Sequence, residues 1–258
     1  MILLSFDIEE FDMPVEYGKG ISFEEQMRIS YEGTLAILQL LKRHKIQATF
    51  FCTANFAIHA PELVKKIISD GHEVASHGYF HSSFNNEDLV RSKETIEKIT
   101  SKPVVGFRMA RMMPVEESEV YNAGYGYNSS LNPTWIPGRY NNITKPRQMF
   151  FKEKIFQLPA SVTPLLRFPL FWLSFHNLPL WLYKYLCLIT HKADKYLNIY
   201  FHPWEFTELR NTQLGLPAFV KRNSGDKMLK RMESLILYFK KRDVLFCTIQ
   251  NFINNKDR

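Results

Sequence analysis

Ser76-His77-Gly78-Tyr79-Phe80-His81, preceded by His72-Glu73-Val74-Ala75, is the stretch on which the reading of this 258-residue chain turns. It places two imidazoles four positions apart at the end of a short strand-like run. The rings converge if the segment after the strand makes one helical turn, because residues i and i+4 share a face. Such a pair fits a divalent metal, although taken alone the spacing is better explained by two unrelated loop histidines. The N-terminal Ser5-Phe6-Asp7-Ile8-Glu9-Glu10 shifts that balance, since it sets carboxylates just past another apolar run. A hard carboxylate oxygen with two imidazoles makes a three-ligand site with room for water.

Outward from that stretch, strand-like and helix-like segments alternate. Ile2 to Phe6 fits a buried parallel strand whose C-terminal edge carries the carboxylates. A loop with Pro14, Gly18 and Gly20 follows, and Phe23 to His44 has helical spacing, with Leu35, Ile37, Leu38, Leu40 and Leu41 as its apolar stripe. Gln47 to Cys52 reads as a strand, and Pro61 to Ser69 as a helix with proline at its first position and a stop before Gly71. His72 to Ser76 is the third strand, Asn86 to Ile99 a helix, Val104 to Arg108 the fourth strand, Val115 to Asn122 a helix and Tyr125 to Ser130 a weaker strand. After the irregular Asn132 to Pro146, Phe156 to Pro159 restarts the order. Leu197 to Phe201, Gly225 to Lys241 and Val244 to Thr248 add strand, helix and strand. This alternation predicts an α/β fold with a parallel sheet, and about six or seven such units predict a barrel. No repeat or linker divides residues 1–258, which read as one domain with an aromatic-rich insertion near 165–190.

That insertion, Leu165 to Ile189, is nearly continuous Leu, Phe, Trp and Tyr, but Arg167, Pro169, His176, Pro179 and Lys184 interrupt it. A membrane-spanning helix needs about 20 mainly apolar residues, and the prolines break this run into short helices. Packing over the barrel and lying at a membrane interface both remain open. The net charge of +7 is modest and spread out, although Lys and Arg concentrate towards the C-terminus, from Lys221 to Lys241. We read that run as a solvated helix face, with an anionic membrane or polyanion as the weaker alternative; nucleic acid is not an expected partner. The three cysteines lack metal-like spacing, and Cys52 and Cys247 read as buried thiols in a reducing compartment. Residues 1–7 show no basic n-region or cleavage site, so the expectation is a cytoplasmic protein, with membrane association left open through the insertion.

Two further pieces stand at strand ends: Gly106-Phe107-Arg108-Met109-Ala110 and Tyr200-Phe201-His202-Pro203-Trp204-Glu205. Taken alone, Arg108 fits a surface cation and His202 a satisfied core histidine. Together with the first two clusters, however, they lie where barrels gather their chemistry, at the C-terminal ends of several strands. Phe6-Asp7-Ile8-Glu9, His77-Gly78-Tyr79-Phe80-His81, Gly106-Phe107-Arg108 and Tyr200 to Glu205, in that order, resemble the motifs of the polysaccharide deacetylase family, the carbohydrate esterase group with the NodB homology domain. The resemblance covers nearly the whole chain. It implies a distorted (β/α)7 barrel and metal-dependent hydrolysis of an N-acetyl group on an amino sugar.

Carried over by residue, the resemblance implies Asp7 as catalytic base, Glu9, His77 and His81 as ligands of Zn²⁺ or another divalent transition metal, Arg108 as the group orienting the base, and His202 as general acid. Glu10 is a weaker candidate ligand. Two departures stand out: Ala110 replaces the family's usual proline, and Asn128 stands where many relatives have Asp. Neither removes a ligand or an acid–base group. The substrate expected is an N-acetylated glycan or a lipid-linked sugar precursor. Hydrolysis of another, cyclic amide, a catalytically inactive glycan-binding barrel and a membrane-associated scaffold are the alternatives.

Overall fold

The computed structural model describes residues 1–210 and 212–256. Its strands are β1 (Ile2–Ile8), β2 (Thr49–Cys52), β3 (Glu73–Ser76), β4 (Gly106–Phe107), β5 (Tyr127–Asn128), β6 (Trp135–Ile136), β7 (Tyr140–Asn141), β8 (Phe150–Lys152), β9 (Ile155–Gln157) and β10 (Leu197–Phe201). The main sheet runs β10-β1-β2-β3-β4-β5-β9-β8, parallel throughout except for the antiparallel β9/β8 pair at one edge. Seven parallel strands thus form a curled sheet, and among the described residues no ladder joins β10 to β8. This is the distorted α/β barrel that the motifs imply. β6 and β7 make a separate antiparallel ribbon.

The helices are α1 (Met13–Glu16), α2 (Phe23–His44), α3 (Ala54–His59), α4 (Pro61–Ser69), α5 (Glu87–Thr100), α6 (Glu117–Asn122), α7 (Trp172–Asn177), α8 (Leu180–Asp194), α9 (Ala218–Lys221), α10 (Asp226–Lys240) and α11 (Ile249–Asn254). Local chemistry sets several of their ends. The Ser22 hydroxyl accepts from the Glu25 amide to start α2, and Lys45 ends that helix in the left-handed region at φ 51°. Every residue of β1 is buried, as befits a central parallel strand covered on both faces.

Three expectations need correction. The strand expected at Val244–Thr248 reduces to one parallel bridge, Phe246 to Ile2. It fills the side of β1 only below Thr49, where β2 begins, and Thr248 then caps α11. The strand expected from Val104 starts at Gly106, because the Val105 carbonyl accepts from both Gly126 and Tyr127 amides instead of joining a regular ladder. Cys247 is only half-buried, whereas Cys52 is fully enclosed.

The stretch from Leu165 folds into α7 and the fifteen-residue α8, with Pro169 ahead of the first and Pro179 directly before the second. Phe175, Tyr183 and Cys187 bury against the barrel, while Leu165, Leu166 and Trp181 face outward. No helix among the described residues is long and apolar enough to cross a membrane.

The fold also brings α2 hard against the turn that follows β10. A Cβ on Gly33 would stand 1.9 Å from the Pro203 carbonyl oxygen, a backbone atom that cannot swing aside. Gly33→Ala is therefore expected to cost about 1–3 kcal/mol as an overpacked contact. A urea midpoint equal to that of the parent would mean that the turn yields freely.

Candidate metal centre and acid–base groups

Parallel register levels the strand ends. Phe6 pairs with Phe201 and Ser76 with Phe107, so Asp7 emerges beside His202, and His77 beside Arg108. Asp7 and Glu9, two residues apart, point to one side of the sheet. Asp7, Glu9, His77, His81, Tyr200 and His202 all line one cleft of about 250 Å³.

Glu9, His77 and His81 offer one ligand atom each, all within 4.8 Å of one another. Glu9 Oε2 lies 3.3 Å from His77 Nε2 and 3.0 Å from His81 Nε2, yet it is buried with no hydrogen bond closed on it. The other Glu9 oxygen accepts from the Trp204 indole at 3.3 Å. Both rings are tied from behind. His77 Nδ1 lies 2.9 Å from the Arg108 carbonyl oxygen and His81 Nδ1 2.9 Å from Asp12 Oδ1, which leaves both Nε2 atoms facing Glu9. Outer partners of this kind fix the orientation of metal-binding imidazoles. An orphaned buried carboxylate oxygen facing two such nitrogens fits a divalent cation. Burial pushes the Glu9 carboxyl up, but His81, His202 and His77 outweigh it and bring it to about 2.

The two rings do not meet through a helical turn, as the spacing suggested. The segment after β3 is a loop in which Gly78 adopts φ +84°, and the rings stack with centroids 6.1 Å apart. A left-handed residue is cheap only for glycine. Glu10, the weaker candidate, turns away from the imidazoles to accept from the Thr53 hydroxyl at 2.9 Å and from Asn55.

Arg108 is wholly buried. It donates from Nη1 to Asp7 Oδ1 at 2.6 Å and to Ser5 Oγ at 3.0 Å, from Nε to the Ser129 carbonyl at 3.2 Å, and from Nη2 to Ser129 Oγ at 3.0 Å. Its guanidinium carbon sits 4.0 Å from the centre of the Phe51 ring. Asp7 is thereby held by a cation that is itself held on several sides.

His202 sits between Trp172, Tyr200 and Trp204, at centroid distances of 5.5, 6.0 and 5.0 Å. Its Nδ1 lies 3.1 Å from Glu205 Oε1. Burial pulls this imidazole down, but Glu9, Glu205 and Asp7 outweigh it and hold it above its ordinary value. Asn128 accepts from the Ser130 amide at 3.1 Å and from its hydroxyl at 2.5 Å, and Ala110 lies in a short 3-10 turn.

Reasoning from sequence left out Asp12, Arg111 and Trp204, which brace the candidate ligands, and Glu205, which partners His202. Arg111 reaches Asp12 at 2.9 Å and also Glu16. Glu205 carried a visible signal, three residues beyond His202 in the same motif. Asp12 carried none, because its contact with His81 spans 69 positions.

One pH effect follows. Burial pulls the cation-free His81 imidazole down, but Glu9 and Asp12 outweigh it and raise it above the usual 6.5. Metal binds only the deprotonated ring, so uptake near neutral pH should release protons, and less as pH rises through the raised value. Calorimetry in buffers of different ionisation enthalpy reads that release. Heats independent of the buffer near neutral pH would contradict it.

Comparison with known proteins supplies relatives. Residues 20–114 match the family model described as Polysaccharide deacetylase. A peptidoglycan-N-acetylmuramic acid deacetylase of Bacillus subtilis is 30% identical over 76 residues, covering 27% of this chain and 29% of that protein. Across that relative and two uncharacterised proteins, from Geobacillus stearothermophilus and Bacillus subtilis, the matching stretch spans only 19% to 29% of the relative's length. A solved candidate polysaccharide deacetylase from Mycobacterium smegmatis aligns over 99% of this chain and 88% of its own, with TM-score 0.68 and 16% identity. A CE4 family pseudoenzyme from Bacillus anthracis aligns over 97% and 64%, with TM-score 0.54 and 13% identity. At such identities the likeness concerns the fold.

Proposed function

We propose that this chain, which belongs to the polysaccharide deacetylase family, is a zinc-dependent hydrolase that removes an N-acetyl group from an amino sugar in a glycan or glycan precursor. The observation that carries the reading is the meeting, in one cleft, of the Glu9–His77–His81 donor set with a braced Asp7 and with His202. Relatives that act on N-acetylated glycans support the substrate class.

Glu9, His77 and His81 would hold the ion. When bound, a divalent zinc supplies a Lewis acid and lowers the pKa of water from 15.7 to about 7. Asp7, kept in place by Arg108, accepts the proton of the water that attacks the acetyl carbon. His202 donates a proton to the amide nitrogen, because an amide anion is too poor a leaving group to depart unaided. Water adds across the C–N bond, giving acetate and a free amine. Glu205 holds His202 through Nδ1, which leaves the other ring nitrogen for the substrate. The indole and phenol rings around His202 offer apolar faces to a sugar. Beyond Arg111, Met112, Arg139 and Tyr140 the cleft adjoins a hollow of about 850 Å³, with room for the remainder of an extended substrate.

Acetate release by the zinc-loaded protein across N-acetylated sugars, from chitooligosaccharides to lipid-linked precursors, tests this reading. Turnover is expected on at least one, and it should vanish in Asp7→Asn while zinc is retained. The existence of a pseudoenzyme with this fold makes a silent glycan-binding barrel the competing account. Sugar binding by the zinc-loaded protein without acetate release on any panel member would favour it.

A further inference from the structure

Behind His202, on the side away from the cleft, a second buried imidazole faces the same carboxylate. Glu205 Oε1 accepts from the His202 backbone amide at 2.6 Å and lies 3.1 Å from His202 Nδ1. Its Oε2 lies 3.0 Å from Nε2 of His176, although in this geometry neither that oxygen nor either His176 ring nitrogen closes a hydrogen bond among the described residues. Glu205 and His176 are both 0% exposed. His176 belongs to α7, in the aromatic-rich stretch, where its carbonyl accepts from Asn223 at 2.5 Å. The Trp172 ring lies edge-on to both imidazoles, 6.0 Å from His176 and 5.5 Å from His202.

We infer that His176 is a positioning residue for the proton donor: it holds the far oxygen of Glu205 so that the near oxygen stays on His202 Nδ1. The inference rests on reading His202 as that donor. A carboxylate shut away from water requires donors on both oxygens, and one left bare inside a protein is costly. Oε1 has two close nitrogens, both from His202, while Oε2 faces the His176 ring at ion-pair distance and, among the described residues, closes no hydrogen bond elsewhere. Burial pushes the Glu205 carboxyl up, but His176 and His202 outweigh it and bring it below its ordinary value.

The ionisable surroundings are few. Glu205 is faced by His176 and His202, and the Tyr183 phenol, pushed up by burial, then by Cys187, also feels it. Arg231, beside Tyr183, spends its guanidinium on the Phe175 and Leu178 carbonyls. His202 is faced by Glu9, just past the end of β1, and by Asp7 on β1.

Loss of the His176 donor leaves Oε2 bare. The state in which the His202–Glu205 pair has released its proton, with an uncompensated buried anion, suffers more than the state in which His202 is cationic. The pair should therefore hold its proton to higher pH and give it up less readily.

The test compares His176→Phe, which keeps a ring but no donor, with His176→Gln, whose amide restores one. His202 is followed both by the pH profile of kcat on the best acetylated sugar and by nitrogen NMR titration of its ring, which needs no turnover. In His176→Phe we expect kcat to fall about tenfold or more with KM within about twofold, a modest part of the effect of a positioned acid. The alkaline limb and the ring titration should both move to higher pH, and His176→Gln should recover both. Should the phenylalanine variant not fold, His176→Asn, smaller than the ring and too short to reach Oε2, replaces it. An unmoved His202 titration in a folded donor-less variant overturns the inference. A shifted titration in a protein that turns over no acetylated sugar leaves the His176–Glu205–His202 linkage standing and removes the deacetylase reading instead.

Discussion

His77→Ala is expected to lose bound cation and acetate release together. The substitution deletes one of three donors and also frees the Arg108 carbonyl that His77 Nδ1 now engages. Altering an outer partner of a metal ligand already costs about 10–100-fold in affinity or activity, so loss of the ligand itself should exceed about 100-fold. Glu9 Oε2 would then face His81 alone. Metal content after equilibrium dialysis, read beside acetate release, checks this result. A His77→Ala protein that keeps one ion per chain would place the cation elsewhere, and one that keeps its rate would detach the chemistry from this cluster.

The largest expected effect on stability belongs to Arg108. The Arg108–Asp7 pair has side chains 0% and 3% exposed, with its nitrogen and oxygen 2.6 Å apart. Arg108→Met fits the volume but leaves Asp7, Ser5 and Ser129 short of a donor. Removing one partner of a buried ion pair costs about 3–5 kcal/mol, because the remaining charge is stranded. That is a sizeable part of the 5–15 kcal/mol typical of a folded domain. Arg108→Lys should recover only part of it, since an ammonium cannot reach Asp7 and both Ser129 oxygens in one plane. Denaturant unfolding of the parent and the two variants checks the order. A loss below about 1 kcal/mol in Arg108→Met would mean that Asp7 finds another donor or sheds its charge.

Much of this fold is legible because its decisive signals are local. Phe23–His44 and Pro61–Ser69 are bounded by a serine cap, a proline at the first turn and residues that stop the helix, and the observed ends coincide with those read from the sequence. Leu197–Phe201 was equally plain as an apolar run ahead of a polar turn. The β8–β9 hairpin was not legible, because Glu153 and Lys154 take positive φ values of 49° and 61° without the Asn-Gly or Gly signal that usually marks such a turn. The strand expected around Phe246 misled for a different reason: an apolar run shows that a segment is buried, but not that it joins a ladder.

At the centre, the spacing of His77 and His81 suggested convergence, but the loop that achieves it depends on one left-handed glycine. What sequence could not supply were the contacts made across long separations, Asp12 to His81 and His176 to Glu205. No periodicity encodes a contact of that kind. It exists only once β1, β3 and β10 are laid side by side and α7 is folded over their ends.

Anomalous diffraction at the zinc absorption edge, from crystals of the protein loaded with one equivalent of zinc, addresses the heart of the account. A single strong peak should stand among Glu9 Oε2, His77 Nε2 and His81 Nε2, with Asp7 and His202 on its borders. A peak seated on other side chains, or no peak above background in that cleft, would contradict it.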